Sequence, residues 1–423
     1  MKRILVFPCG SEIALEIYRS LKYSIHFELI GASSADDHGR FVYKEYVGGL
    51  PFVTSPSFIE AISALVEEKK IDAIFPAMDL VLDVLKKYEH TIGCKVIGSC
   101  YETVNVCTSK SKTYRILHDV VKTPRIYTKE NAITFPVFMK PDVGYGARGT
   151  KLVTNHDMFR EYKKEYPNSI CCEYLSGDEY TVDCFTDRKR QLLFSAPRLR
   201  RRVANGISVN TVPVEDDAKE FYDIAKLIND RLHFRGAWFI RLKRDKDGVL
   251  TLLEVASRLG GSSSLYRNKG VNFALLTLFD AFGYDVEVSP NDYEIELDRA
   301  LDDVYKVNIS YNEVFVDFDD CIRLKGKYLN TELVALLYQC VNERVKITLL
   351  TRHKAEIYDT LRDCRLSEVF DRIIHITDGS SKSQYIDNLS SIFIDDSYSE
   401  RIDVMKNLHI PVFSPDMVKC LLK

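Results

Sequence analysis

The run Lys140-Pro141-Asp142-Val143-Gly144-Tyr145-Gly146-Ala147-Arg148-Gly149 decides how the first 300 or so residues are read. Gly144, Gly146 and Gly149 reproduce the Gly-x-Gly-x-x-Gly spacing of dinucleotide turns, in which the loop joins a strand to a helix whose N-terminus holds a pyrophosphate. The flanks here are different. An apolar strand at 135–139 leads in, and 150–154 leads out in a second strand pattern. A glycine loop between two strands is a hairpin flap whose backbone amides can close over phosphates, with the Lys140 ammonium beside them. A glycine-rich hairpin with no ligand fits the loop alone equally well.

Outward from the loop, the chain divides into three units. Strand and helix patterns alternate from 4–7 through 12–21, 58–68 and 71–76, which predicts an open parallel α/β domain over residues 1–98. Its first turn, Pro8-Cys9-Gly10-Ser11, has a single glycine, so no dinucleotide site is expected there. Residues 99–300 read as a strand-rich α+β unit, with strands at 170–174, 180–185, 191–196 and 238–242 and helices at 112–120 and 218–229. Alternation resumes over 308–423 as a Rossmann-like unit.

Ser109-Lys110, Lys140-Pro141, the glycine loop, Glu173 to Glu179, Glu254 and Arg258 follow one another in an order that resembles the ATP-grasp superfamily. The resemblance implies ATP and Mg2+ as cofactors, with Lys110, Lys140 and the loop glycines Gly144, Gly146 and Gly149 at the nucleotide phosphates. It also implies a hinge of Glu173, Tyr174 and Leu175 reading adenine through backbone groups, Glu179 on the ribose, and Glu254 on the metal. The implied chemistry is activation of a carboxylate as an acyl phosphate, then displacement of phosphate by an amine or another nucleophile. Arg258, and one of Arg200, Arg201 and Arg202, would meet the phosphoryl oxygens or the acceptor carboxylate.

The metal positions depart from the family. Where relatives have Glu-x-Asn, this chain has Glu254-Val255-Ala256, and the partner position on the preceding strand is Arg241. A two-residue turn at Asp247-Gly248 would set Arg241 opposite Glu254. Such a cross-strand ion pair contributes roughly 0.2–1 kcal/mol. Either magnesium is then held mainly by the ATP, or nucleotide is bound without efficient ligation.

At 314–321, an apolar strand runs into Asp317-Phe318-Asp319-Asp320-Cys321. Two carboxylates two residues apart can divide labour between nucleophile and proton donor. With Thr351 ending the strand at 347–350, Lys382, and Asp395-Asp396 after 392–394, this set resembles the haloacid dehalogenase-like superfamily. The resemblance implies Asp317 as nucleophile, Asp319 as general acid/base, and Thr351 and Lys382 on the phosphoryl oxygens. Asp395 or Asp396, with Asp317 and the Asp319 carbonyl, would hold Mg2+. Cys321 replaces the usual Thr or Val. Only 33 residues separate Asp317 from Thr351, and 30 separate Thr351 from Lys382, too few for a large cap domain. The expected fold is therefore an α/β and α+β multidomain chain: an open parallel α/β domain, an ATP-grasp fold and a capless Rossmannoid domain.

Composition narrows the partners. The 58 basic residues nearly balance 61 acidic ones, which argues against nucleic acid or membrane surfaces. No apolar run approaches the roughly 20 residues of a membrane span. Eleven cysteines without a Cys-x-x-Cys pair predict a reducing, cytoplasmic setting. The expected partners are small molecules: a carboxylate, an amine or other nucleophile, and a phosphate ester.

Overall fold

The computed structural model describes residues 1–144, 148–300 and 303–422. In the first unit, Glu45–Val47, Phe27–Ala32, Lys2–Phe7, Ala73–Pro76 and Lys95–Val96 form one parallel sheet in that order. Ile4, Leu5 and Val6 are fully buried in succession, as expected of a strand covered on both faces. The helix Glu12–Leu21 begins on a Ser11 cap that accepts from the Ala14 amide.

Two antiparallel sheets follow. The smaller sets Val137–Pro141 between Lys151–Val153 and Ser169–Glu173, so the glycine loop does join two antiparallel strands. The larger has seven strands: Leu250–Ala256, Gly236–Arg244, Glu179–Thr186, Leu192–Ala204, Ile207–Pro213, Glu294–Arg299 and Asp303–Asn308. It corrects two expectations. The sheet runs past 300 to Asn308, and the strand expected at 191–196 continues to Ala204, so Arg198 to Arg202 lie within a hairpin arm.

Arg241 does stand opposite Glu254, but by a different route from the one expected. The Asp245 amide bonds the Val249 carbonyl, which makes a three-residue loop instead of a two-residue turn. A bulge then leaves Leu253 unpaired in this ladder and restores the register at Glu254.

The third unit is a parallel sheet ordered Arg372–His375, Lys346–Thr351, Glu313–Val316, Ser391–Ile394 and Val412–Phe413. Between Asp317 and Thr351 lie a two-stranded flap (Arg323–Leu324 with Tyr328–Leu329) and the helix Thr331–Glu343. The helix Ile357–Asp363 and the strand Arg372–His375 occupy the next gap. As expected from the short gaps, neither holds a cap domain.

The three units share a core. Arg267, almost sealed from solvent, donates from Nε to Glu16 Oε1 of the first unit at 2.7 Å and from Nη1 to the Asp416 carbonyl of the third at 2.8 Å. Among the described residues no helix is long and apolar enough to cross a membrane, and all eleven cysteines are free.

Candidate functional sites

The front site is assembled at the start of the helix Lys110–Leu117. Ser109 caps it, and the Asp142 carboxylate accepts from Ser109 Oγ at 2.6 Å and from the Ser111 amide at 2.7 Å. Asp142 thus ties the helix to the strand that carries Lys140. Lys110 Nζ reaches the carbonyls of Asp142 and Gly144 at 3.3 and 3.5 Å, which sets it beside the glycine loop. Gly144 and Gly149 flank that loop; Gly146 lies outside the described residues. Gly149 has φ +65°, and a Cβ there would come 2.9 Å from the Tyr166 ring.

Lys140 is buried, its Nζ donating to Tyr114 Oη at 2.6 Å and to the Leu253 carbonyl at 3.4 Å. The Leu253 bulge turns this carbonyl towards the site, where Tyr114 Oη also donates to it at 2.6 Å. Burial lowers the Lys140 pKa to about 8. A buried ammonium with only neutral partners is a group prepared for an anion.

Lys110, Lys140, Gly144, Arg148, Glu173, Tyr174, Leu175, Glu179, Arg241 and Glu254 line one cavity of about 140 Å³. The turn after Leu175 is tight, since a Cβ on Gly177 would sit 2.7 Å from the Arg244 carbonyl. A second cavity of about 1100 Å³ opens beyond it, bounded by the first unit at Glu12 and Asp79 and by Arg200, Arg258 and Arg299.

The arginines divide sharply. Arg198 is buried on Asp183 at 2.6 Å, Arg200 lies 3.3 Å from Glu179, and Arg201 and Arg202 turn outward to Glu296 and Asp298. Arg258 reaches Asp79 of the first unit at 2.5 Å. Arg241 donates to Glu254 Oε2 at 3.0 Å and from Nε to Glu179 Oε1 at 3.1 Å. Glu179 is therefore held by a guanidinium, which sequence reasoning about a ribose contact did not foresee. The donor set around Glu254 does not fit a site built for two divalent ions, because Arg241 is a cation and Ala256 offers no ligand atom.

The second site lies at the carboxyl edge of the last sheet. Lys382 Nζ is 2.9 Å from Asp317 Oδ1 and donates to Asp395 Oδ2 at 2.6 Å, while the Ser397 amide holds the other Asp395 oxygen at 2.8 Å. Thr351 is fully buried at the end of the neighbouring strand, and its hydroxyl accepts from the His353 amide at 3.2 Å. Burial raises the Asp317 and Asp395 carboxyls, and burial together with the Asp317 charge pushes Asp396 to about 6.

Asp317, Cys321 and Asp396 bring ligand atoms within 4.8 Å of one another. Of Asp395 and Asp396, it is Asp396 that approaches Asp317 and Cys321, while Lys382 stands between Asp395 and Asp317. The Asp319 carboxylate is in neither group. It points to His353, whose Nδ1 lies 2.9 Å from Oδ2, and His353 Nε2 lies 3.0 Å from Thr360 Oγ1. His353 was missed in the sequence, although it follows Thr351 by two at the same strand end. Asp396 also borders a cavity of about 570 Å³ between the units, lined by Tyr23, His26, Arg267, Phe279 and Tyr398.

Residues 165–299 match the family model described as ATP-grasp in the biosynthetic pathway with Ter operon. The chain is 29% identical over 192 residues to the D-alanine–D-alanine ligase of Fusobacterium nucleatum subsp. nucleatum, a match covering 43% of this chain and 64% of the ligase. It therefore spans less than two thirds of that relative's length. Among solved structures, the biotin carboxylase of Campylobacter jejuni, determined as a β,γ-ATP complex, is similar with a TM-score of 0.60 at 18% identity, covering 70% of this chain and 75% of that one. The N5-carboxyaminoimidazole synthetase of Staphylococcus aureus, determined with ADP, gives 0.61 at 15% identity, covering 71% and 82%. The match at 165–299 makes that segment similar to the ATP-grasp family, and folds similar to these two solved structures extend over about 70% of the chain.

Proposed function

We propose that the chain is a bifunctional enzyme: an ATP-dependent ligase in front and a phosphate-ester hydrolase of the haloacid dehalogenase-like type behind. The observation that supports the first half best is the gathering of Lys110, Lys140, the hinge Glu173–Leu175, Glu179 and Glu254 around one cavity that opens into a larger one. ATP occupies the smaller cavity, with adenine at the hinge and its phosphates between the two lysines and the glycine loop. An acceptor carboxylate in the larger cavity attacks the γ-phosphorus and ADP leaves. An amine or other nucleophile then attacks the acyl carbon of the acyl phosphate, and inorganic phosphate leaves. Arg200 and Arg258 face the acceptor side.

Behind, Asp317 attacks the phosphorus of a phosphate ester while Asp319 protonates the leaving oxygen. Asp319 then takes a proton from the water that hydrolyses the aspartyl phosphate. Lys382 and Thr351 hold the phosphoryl oxygens. Asp317 and Asp396, with the Asp319 carbonyl, would hold Mg2+, which lowers the charge on those oxygens. In the absence of a cap, the front module serves as the lid, since the cavity at Asp396 is walled by residues of both other units.

The grip of Arg241 on Glu179 and Glu254 favours a second reading, in which the front module binds nucleotide without ligating and regulates the hydrolase. Both readings require nucleotide binding. ADP at 100 times its dissociation constant is expected to add about 2.7 kcal/mol of stability, seen as a rise of several degrees in the unfolding midpoint. A midpoint unmoved by millimolar ADP with Mg2+ would contradict both.

A further inference from the structure

Five residues line both front cavities: Lys110, Gly144, Arg148, Arg241 and Glu254. A phosphoryl group passing from a nucleotide in the smaller cavity to an acceptor in the larger one crosses at these residues. At that crossing the chain places a guanidinium between two carboxylates. Arg241 Nη1 lies 3.0 Å from Glu254 Oε2, Nε lies 3.1 Å from Glu179 Oε1, and Nη2 also donates to Glu179. Burial opposes all three charges, and their mutual attraction outweighs it: Arg241 is held above its usual range, and Glu179 and Glu254 below theirs.

Two divalent ions on a nucleotide need open carboxylate or amide oxygens to complete their shells. Few are open here. One Glu254 oxygen is taken by Arg241, Glu179 is shared between Arg241 and Arg200, and Ala256 has no ligand atom. Arg241 meanwhile has five N–H donors, of which three go to the two carboxylates among the described residues. The remaining two are available to phosphate oxygens, and the planar fork suits them.

We infer that Arg241 is a built-in cation of the front site, standing in for one divalent ion, so that the nucleotide binds there with a single metal ion. A guanidinium keeps its charge at any working pH and cannot be removed by a chelator. The inference rests on the reading of this cavity as a nucleotide site. It makes the Arg241 clamp part of a working centre rather than a mark of a spent one.

The test uses the full-length chain, a non-hydrolysable ATP analogue with an imido bridge, and Mn2+ counted by electron paramagnetic resonance. Counting with and without the analogue subtracts any ion held at Asp317 and Asp396. Wild type is expected to take up one analogue-dependent Mn2+ per chain, and the double variant Arg241→Asp, Ala256→Asn two. Arg241→Gln guards against a double variant that does not fold. In EDTA it is expected to bind the analogue about 10- to 100-fold more weakly than wild type, the loss of one or two charge-assisted hydrogen bonds, and to recover affinity as Mg2+ is added. Two analogue-dependent Mn2+ ions in wild type, or an unchanged affinity of Arg241→Gln in EDTA, would overturn the inference while leaving the nucleotide site standing. An analogue that binds wild type under no metal condition would overturn the nucleotide reading and this inference with it.

Discussion

Replacing Lys140 with methionine is expected to stabilise the ligand-free chain while lowering its nucleotide affinity at least 100-fold. The stabilising half follows from burial. The Lys140 ammonium, 6% exposed, has a pKa lowered to about 8 and makes its two hydrogen bonds to neutral oxygens. In the unfolded chain a lysine keeps its proton up to about pH 10.4. Between those values the unfolded state binds more protons, so stability rises with pH. Below about pH 8 the penalty is present in full, on the order of 1–3 kcal/mol. Methionine removes it with little change in shape, and the Leu253 carbonyl keeps the Tyr114 hydroxyl as its donor. The affinity half follows from the same charge, which a phosphate would meet out of water. Denaturant unfolding from pH 7 to 10.5 checks this: the advantage of the variant should shrink as pH climbs past 8. A variant less stable than wild type at pH 7, with nucleotide affinity intact, would show that Lys140 is a structural residue.

Asp317→Asn is expected to lower phosphate-ester hydrolysis by about 10³-fold or more, in line with the loss of a catalytic nucleophile. The fold should survive, because Lys382 keeps its bond to Asp395 and the Asp317 amide keeps its bond to the Ile394 carbonyl. Asp319→Asn should behave differently. General-acid catalysis contributes roughly 10²–10⁴-fold, and it matters most for esters whose leaving group is a poor one. Alkyl phosphates should therefore lose far more rate than p-nitrophenyl phosphate. Equal losses for both esters would remove Asp319 from the role of proton donor. Full hydrolysis by Asp317→Asn would remove the whole aspartate mechanism.

What could be read from the sequence was local or periodic. The glycine loop between two strands, the carboxylates at strand ends and the opposition of Arg241 and Glu254 all follow from strand period and hairpin pairing. The last of these came out right although the turn did not: the longer loop shifts the ladder by one residue, and the Leu253 bulge shifts it back. Contacts between distant residues were not legible. Asp142 meeting Ser109, Tyr114 meeting Lys140, and His353 meeting Asp319 depend on how sheets and helices are stacked, which no periodic pattern encodes. The basic run at 198–202 divides in a way its letters do not show: Arg198 and Arg200 turn inward, while a bulge between Arg200 and Arg202 leaves both Arg201 and Arg202 to meet acids at the surface.

Release of ADP and phosphate from Mg-ATP, measured with pooled carboxylates, amines and phosphate esters, tests the two-centre reading most directly. Wild type, Lys140→Met and Asp317→Asn would be run side by side. The account predicts ADP formation that requires an acceptor, is lost in Lys140→Met and persists in Asp317→Asn. No ADP from any pool, with ester hydrolysis lost only in Asp317→Asn, would contradict it and leave a phosphatase carrying a nucleotide-binding module.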